Sequence, residues 1–196
     1  MNTASIIEYL DAHMSEKRRK HTEGVRDTAM ELARRYGADE AKAEIAALCH
    51  DIYRGVPVEE LDRMVTELGL DKARYLGNAN LSHGKLAEQM LPELFGIEDR
   101  DILNAVSYHT TGRAGMSVLE KVVFLADAIE PNRDYPGVEE LRRVTEDSLD
   151  LGCYRSLTGT IRHLEEQGMG PADIDPDTLK AADYFRGILE KKDHGK

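Results

Sequence analysis

Ser117-Val118-Leu119-Glu120-Lys121-Val122-Val123-Phe124-Leu125-Ala126-Asp127-Ala128-Ile129-Glu130-Pro131 is the stretch on which the fold turns. Ser117 and Glu120 have the spacing of a capping box, in which hydroxyl and carboxylate each accept a free backbone N–H of the opening turn. From Val122 to Ile129 the residues are apolar nearly all round, and Pro131 ends the run. A helix apolar on every side is buried on every side. The stretch therefore predicts a central helix that other helices surround. Asp127 lies inside it, and a carboxylate there needs a metal, a basic partner or a proton.

Outward from this segment, almost every stretch carries the helical period. Ile6, Ile7 and Leu10 make a short stripe. His21, Val25, Ala29, Leu32 and Tyr36 line one face of a second helix, which Gly37 stops. A third begins near Asp39 and carries Ala43, Ala47 and His50. Leu61 to Leu70 reads as a short helix closed around Gly69. Ser82 is placed to cap a helix on which His83, Ala87, Met90 and Leu94 share a face, with Pro92 disturbing its second half. Ile102, Ala105, Val106 and His109 share a face of another. Helices over roughly 138–149 and 154–166 follow, then a Gly-, Pro- and Asp-rich loop over 168–176, then a last helix from about Thr178 to Lys191. No strand alternation, repeat or low-complexity block interrupts the series. The expectation is an all-α, single-domain helical bundle over residues 1–191, with a disordered tail over 192–196.

The chain has 196 residues, 41% of them hydrophobic and 32% charged, which suits a globular protein with a sizeable core. No stretch is long and apolar enough to cross a bilayer, and the N-terminus lacks the basic start and apolar block of a secretion signal. Cys49 and Cys153 form no CxxC pair, so a reduced, cytoplasmic setting is expected. Lys and Arg number 26 against 37 Asp and Glu, a net charge of −11. That field disfavours long nucleic acid, whose binding requires many phosphates to be neutralised. It leaves room for a small phosphorylated substrate, because metal cations and a few local bases can reverse the sign inside one cleft.

His50 and Asp51 are adjacent, and His21, His83, His109 and Asp127 all fall on segments of helical apolar spacing. Imidazole and carboxylate form a ligand set for transition metals. Neighbouring helical residues point about 100° apart, so His50 and Asp51 can share an ion only if it lies between their directions. The two oxygens of Asp51 would allow it to bridge two ions. His83 beside Gly84, and His109 beside Thr110-Thr111-Gly112, read as helix-end positions open to substrate. His13, His163 and His194 lack this context and read as surface or tail residues. Basic residues stand near the candidate ligands: Lys17 and Arg18 before His21, Arg54 after the dyad, Lys85 after His83, Arg113 after His109, and Lys121 and Arg133 around Asp127. Guanidinium forks match phosphate oxygens, so the group suits a polyphosphate. No Gly-rich phosphate loop and no serine elbow are present, which argues against those chemistries.

The order His21, His50-Asp51, Asp127 resembles the signature of the HD-domain metal-dependent phosphohydrolases. Three stretches are similar to the bacterial YqeK-like branch, the symmetrical bis(5'-nucleosyl)-tetraphosphatases: Lys17 to Val25, His109 to Arg113, and Leu119 to Arg133. The resemblance runs from about Ile6 to Leu189. It implies an all-α fold, a di-iron centre in several members, and hydrolysis of diadenosine tetraphosphate to two ADP. The matching positions imply His21, His50, Asp51, His83, His109 and Asp127 as ligands of two metal ions. Iron follows from the resemblance alone, since mixed nitrogen and oxygen ligands also fit manganese, cobalt or zinc.

The expected mechanism is attack by a metal-activated hydroxide, with Asp51, Arg54, Lys17 and Arg18 in the catalytic apparatus. Lys17, Arg18, Arg54, Lys85, Arg113 and Arg133 would contact the phosphates. Many HD proteins carry Lys at the position of Arg54, so its contact can differ here. Two other readings use the same residues: a nucleotidase or phosphodiesterase acting on another nucleotide, and a sensor that binds nucleotide or metal without turnover. A homodimer is compatible with the sequence, which does not specify oligomeric state.

Overall fold

The computed structural model describes residues 3–194, with side chains described as far as 192. Among these residues the regular structure is helical throughout. The order is α1 (Ala4–His13), α2 (Glu16–Tyr36), α3 (Glu40–Cys49), α4 (Val58–Glu67), α5 (Lys72–Tyr75), α6 (Ala79–Phe95), α7 (Arg100–Ser107), α8 (Val118–Ile129), α9 (Val138–Asp147), α10 (Leu149–Glu166) and α11 (Pro176–His194).

The centre of the bundle is α8, against which α2, α3, α7, α9 and α10 pack. Its apolar residues on all sides make this possible: Leu119, Val122, Val123, Phe124, Leu125, Ala126 and Ile129 are buried. The capping box forms, with Glu120 N donating to Ser117 Oγ at 3.2 Å and Ser117 N donating to Glu120 Oε2 at 2.6 Å. Glu120 is itself buried, which is tolerable because Arg113 donates to both of its oxygens, at 2.7 and 3.0 Å. The packing partners α2 and α3 both bury alanines, Ala29 and Ala33 on one and Ala43, Ala46 and Ala47 on the other. Small residues let helix axes approach closely. Asp39 caps α3 by accepting from Lys42 N at 3.0 Å.

The structure departs from sequence periodicity at several boundaries. The cap of α6 is Asn78, whose side chain accepts from Leu81 N, and Ser82 is a buried residue inside the helix. His83 therefore sits in the second turn of α6, away from its end. Pro92 removes one backbone donor, yet α6 continues to Phe95 and stops at Gly96. His109 lies past the end of α7, in the turn after Tyr108. The four-residue α5 was not anticipated, and α10 starts at Leu149, about five residues before its expected start. The last helix continues to His194, so residues 192 to 194 of the expected tail are helical, and 195–196 lie outside the described residues. Among the described residues no helix is long and apolar enough to cross a membrane.

Candidate metal centre

Five separate parts of the chain bring one side-chain cluster together. His21 comes from the second turn of α2, His50 caps the C-terminus of α3, and Asp51 follows it in the turn. His83 comes from α6, His109 from the turn after α7, and Asp127 from the last turn of α8. Each imidazole is anchored through Nδ1. His50 Nδ1 donates to Ala47 O at 2.6 Å, His83 Nδ1 to Ala79 O at 2.9 Å, and His109 Nδ1 to Val106 O at 2.7 Å. His21 Nδ1 donates to Glu130 Oε1 at 3.0 Å. Carbonyl and carboxylate oxygens only accept, so the proton of each neutral ring is on Nδ1 and the lone pair is on Nε2. An oxygen behind a histidine is the usual way of fixing a metal-binding tautomer.

The four Nε2 atoms converge on Asp51 and Asp127. Asp51 Oδ2 lies 3.8 Å from His50 Nε2 and 3.9 Å from His21 Nε2. Its other oxygen, Oδ1, lies 3.2 Å from His83 Nε2 and 3.7 Å from His109 Nε2. Asp127 Oδ1 is 3.0 Å from His21 Nε2 and 3.9 Å from His50 Nε2. One carboxylate thus faces two imidazole pairs, one with each oxygen.

Two observations test whether this set fits a cation. With Nδ1 protonated on each neutral ring, His83 Nε2 and His109 Nε2 are acceptors only 3.0 Å apart, with Thr110 Oγ1 a further neighbour 3.1 Å from His109 Nε2. Two acceptors that close repel unless a proton or a metal lies between them. His50 is fully buried and its Nε2 has no hydrogen-bond partner among the described residues. A buried polar atom without a partner is costly. A metal ion would relieve both, and the donor set is chemically suited to divalent metals. Thiolate ligation is not part of the arrangement: Cys49 and Cys153 are buried in the core, and burial pushes both thiols up.

The electrostatics follow the same geometry. Burial alone would raise Asp51, but His50, His109 and His83 outweigh it and hold the carboxyl far below the usual carboxylate range. Asp127 is half-buried and faces the cluster. Burial works against its charge too, and His21, His50 and Arg133 overcome it. The opposite balance holds at His50, where burial lowers the imidazole to about 4 despite both carboxylates. His83 is lowered for the same reason. At His21, burial is outweighed by Asp127 and Glu130, and at His109 by Asp51 and Asp127, so both are raised.

All of the cluster except the fully buried His50 lines a cavity of about 1120 Å³, together with Lys17, Arg18, Arg54 and Arg133. Arg18 Nη1 is 3.3 Å from Asp51 Oδ2, and Arg133 donates to both the backbone and the carboxylate of Asp127. The metal-free alternative for Asp127, an arginine partner, is therefore present alongside the imidazoles. Lys85 and Arg113 are not brought into the cavity. Lys85 pairs with Glu88, and Arg113 is spent on Glu120. Lys121 is tied to Asp150 at 2.7 Å. Gly84 is buried and does not open the site: a Cβ there would meet His109 Cε1 and Val106 O at 3.0 Å, so glycine lets α6 and the His109 turn close on each other.

The HD-domain family pattern matches residues 18–132. The chain belongs to the HD-domain family. The symmetrical bis(5'-nucleosyl)-tetraphosphatase of Halalkalibacterium halodurans is 40% identical over 98% of this chain and 100% of its own length. The protein of the same name in Bacillus subtilis is 38% identical over 91% of this chain and 95% of its own. A crystal structure from Clostridium acetobutylicum, described as a predicted HD superfamily hydrolase involved in NAD metabolism, superposes with a TM-score of 0.89 at 36% identity. It covers 96% of this chain and 98% of that one.

Some of this HD site was not read from the sequence. Glu130 is buried, holds His21 with one oxygen, and accepts from Asn132 N at 2.6 Å and Asn132 Nδ2 at 2.8 Å with the other. A signal existed: Glu130 closes the C-terminus of α8, where the helix dipole disfavours negative charge, so it needs a partner elsewhere. Gly24 is explained by the same residue, since a Cβ there would come within 2.5 Å of Glu130 Oε2. His163 is exposed, as expected, but it lines the cavity. His13 stacks on Tyr9 and takes no part. The side chain of His194 lies outside the described residues.

Proposed function

We infer that this HD-domain chain is a metal-dependent phosphohydrolase that cleaves diadenosine tetraphosphate, or a close dinucleoside analogue, symmetrically to two nucleoside diphosphates. The observation that carries the reading is Asp51, which faces one pair of imidazoles with each carboxylate oxygen. The near full-length likeness to two symmetrical bis(5'-nucleosyl)-tetraphosphatases supports the substrate class.

His21, His50, Asp51 and Asp127 would hold one ion, and His83, His109 and the second oxygen of Asp51 the other, with iron our choice of metal. Metal ions held there would supply Lewis acidity toward phosphoryl oxygens and would make hydroxide available as a nucleophile near neutral pH. The chain itself supplies orientation and charge. Lys17, Arg18, Arg54 and Arg133 line the same cavity as the cluster and can neutralise oxygens not involved in bond breaking. Nucleoside diphosphate is a good leaving group, so no strong general acid is required. Lys85 and Arg113, engaged elsewhere, are left out of phosphate binding. We further take residues 1–191 as one domain. Cytoplasmic location is our reading of the two free, buried cysteines, and small nucleotides rather than long nucleic acid of the net charge of −11.

The deciding assay is product analysis on purified protein of known metal content. Diadenosine tetraphosphate should yield ADP as the sole nucleotide product. Inorganic phosphate from mononucleotides would instead indicate a nucleotidase, and tight binding without products a sensor.

Glu130 provides a second test. It uses both oxygens, one for His21 Nδ1 and one for two donors of Asn132, whereas glutamine has a single acceptor oxygen. Glu130→Gln must therefore release one side. The expected loss is about 10- to 100-fold in metal affinity, measured by chelator competition. Gly24→Ala, which crowds the same carboxylate, should act in the same direction.

A further inference from the structure

Asp127 stands in the last turn of α8, where a backbone carbonyl would ordinarily accept from the N–H four residues on. For Asp127 that residue is Pro131, which has no N–H. No left-handed residue closes the helix either, since Glu130 leaves it at φ −51°, ψ 154°. The last carbonyls are met instead by side chains from further along the chain. Arg133 Nε donates to Asp127 O at 2.7 Å, Tyr135 Oη to Ala128 O at 2.8 Å, and Arg142 Nε to Ile129 O at 2.9 Å.

Arg142 reaches beyond the helix end. Its Nη2 donates to Glu130 O and to Arg133 O, each at 2.9 Å, so one guanidinium spans both limbs of the turn that follows α8. Its remaining nitrogen, Nη1, pairs with Glu139 on the same face of α9. Val138, Leu141 and Thr145 are buried and α9 packs on α8, which fixes the rotation of α9 about its axis and aims Arg142 at the end of α8. Gly137, at φ +92°, permits the reversal from which α9 starts. Arg142 does not line the cavity. The turn it grips carries Glu130, whose Oε1 accepts from His21 Nδ1 at 3.0 Å. A cation at this end also offsets the helix dipole, which disfavours the Glu130 carboxylate there.

We propose that Arg142 is a positioning residue for the metal centre: by clamping the turn over residues 130–133 it holds the Glu130 carboxylate against His21 Nδ1, and so sets the direction of the His21 Nε2 lone pair. The bonds come from separate nitrogens of one rigid fork, which is why the residue is arginine. Lysine carries the same charge but places all its donors on one atom, so it cannot meet the Ile129, Glu130 and Arg133 carbonyls in the same directions. The clamp acts on a ligand through two intermediaries, the turn and the carboxylate, and touches neither metal nor substrate. It rests on the metal-centre reading above.

The test is competition for manganese(II) between a chelator and the full-length protein, well below its melting temperature, in a double-mutant cycle. Arg142→Lys should weaken manganese affinity about tenfold, the lower end of the range for groups behind a ligand. In a Glu130→Ala background, where the carboxylate is already gone, the same change should cost less than about twofold, because the two residues act through one bond. Tyr135→Phe removes a donor from the same helix end but outside the clamped turn, and should lower the melting temperature while leaving manganese affinity unchanged. No loss from Arg142→Lys would mean that the clamp is immaterial. Equal losses with and without the carboxylate, or an equal loss from Tyr135→Phe, would mean that any weakening of this helix end suffices. Each of these results overturns the assignment. A wild-type chain that takes up no manganese would instead count against the metal centre itself, and the clamp would fall with it.

Discussion

Asp51→Ala should lower the rate of ADP release from diadenosine tetraphosphate by at least about 10³-fold, because residues merely behind a ligand already cost about 10- to 100-fold. The substitution removes both oxygens at once. His21 and His50 lose one shared carboxylate oxygen, and His83 and His109 lose the other. Far-ultraviolet circular dichroism should be unchanged, since Asp51 lies in a turn after α3 and carries no helix cap. Metal content should fall in parallel with activity. Activity within about tenfold of wild type would refute the role assigned to this carboxylate.

Removing the metal should have the second largest effect, on activity and stability together. Without a cation, the unprotonated Nε2 atoms of His83 and His109 stand 3.0 Å apart, and the buried His50 Nε2 has no partner among the described residues. A ligand present at about a thousand times its Kd stabilises the folded state by about 4 kcal/mol. For a chain of this length each kcal/mol corresponds to roughly 2–4 °C in Tm. Chelation should therefore abolish ADP release and lower the melting temperature by roughly 8–16 °C, and adding the metal back should restore both. Repeating the add-back with iron, manganese, cobalt and zinc ranks the metals directly. A chelated protein that keeps its full rate and its melting temperature would exclude a metal role.

Much of the fold could be read one segment at a time. The capping box at Ser117 and Glu120, the stripe of α2 and the cap at Asp39 involve residues within a turn or two of each other, so sequence spacing carries them. Boundaries failed where two local solutions compete. Asn78 and Ser82 are both capping types, and only the burial of Ser82 shows that the helix starts at the first. His109 continues the apolar spacing of α7 although the helix has ended, because the turn after Tyr108 still points inward. At the site, inward spacing and family resemblance point to His21, His50, Asp51, His83, His109 and Asp127, and these six side chains stand together. Glu130 was visible as a charge of the wrong sign at a helix end, but its partner is 109 residues away in sequence.

Taken alone, the sequence determined that the chain would be helical, that α8 would be its axis, and that imidazoles and carboxylates would point inward. Those properties arise from period, capping and apolarity, which act over a few residues. Tertiary structure alone decided which cations face the cavity. Lys85 stands two residues after His83 and Arg113 four after His109, yet their side chains turn to Glu88 and Glu120. It also decided that His163 and the loop after α10 line the same cavity as the cluster. Direction depends on how each helix is rotated about its axis, and that rotation is set by packing against partners far away along the chain.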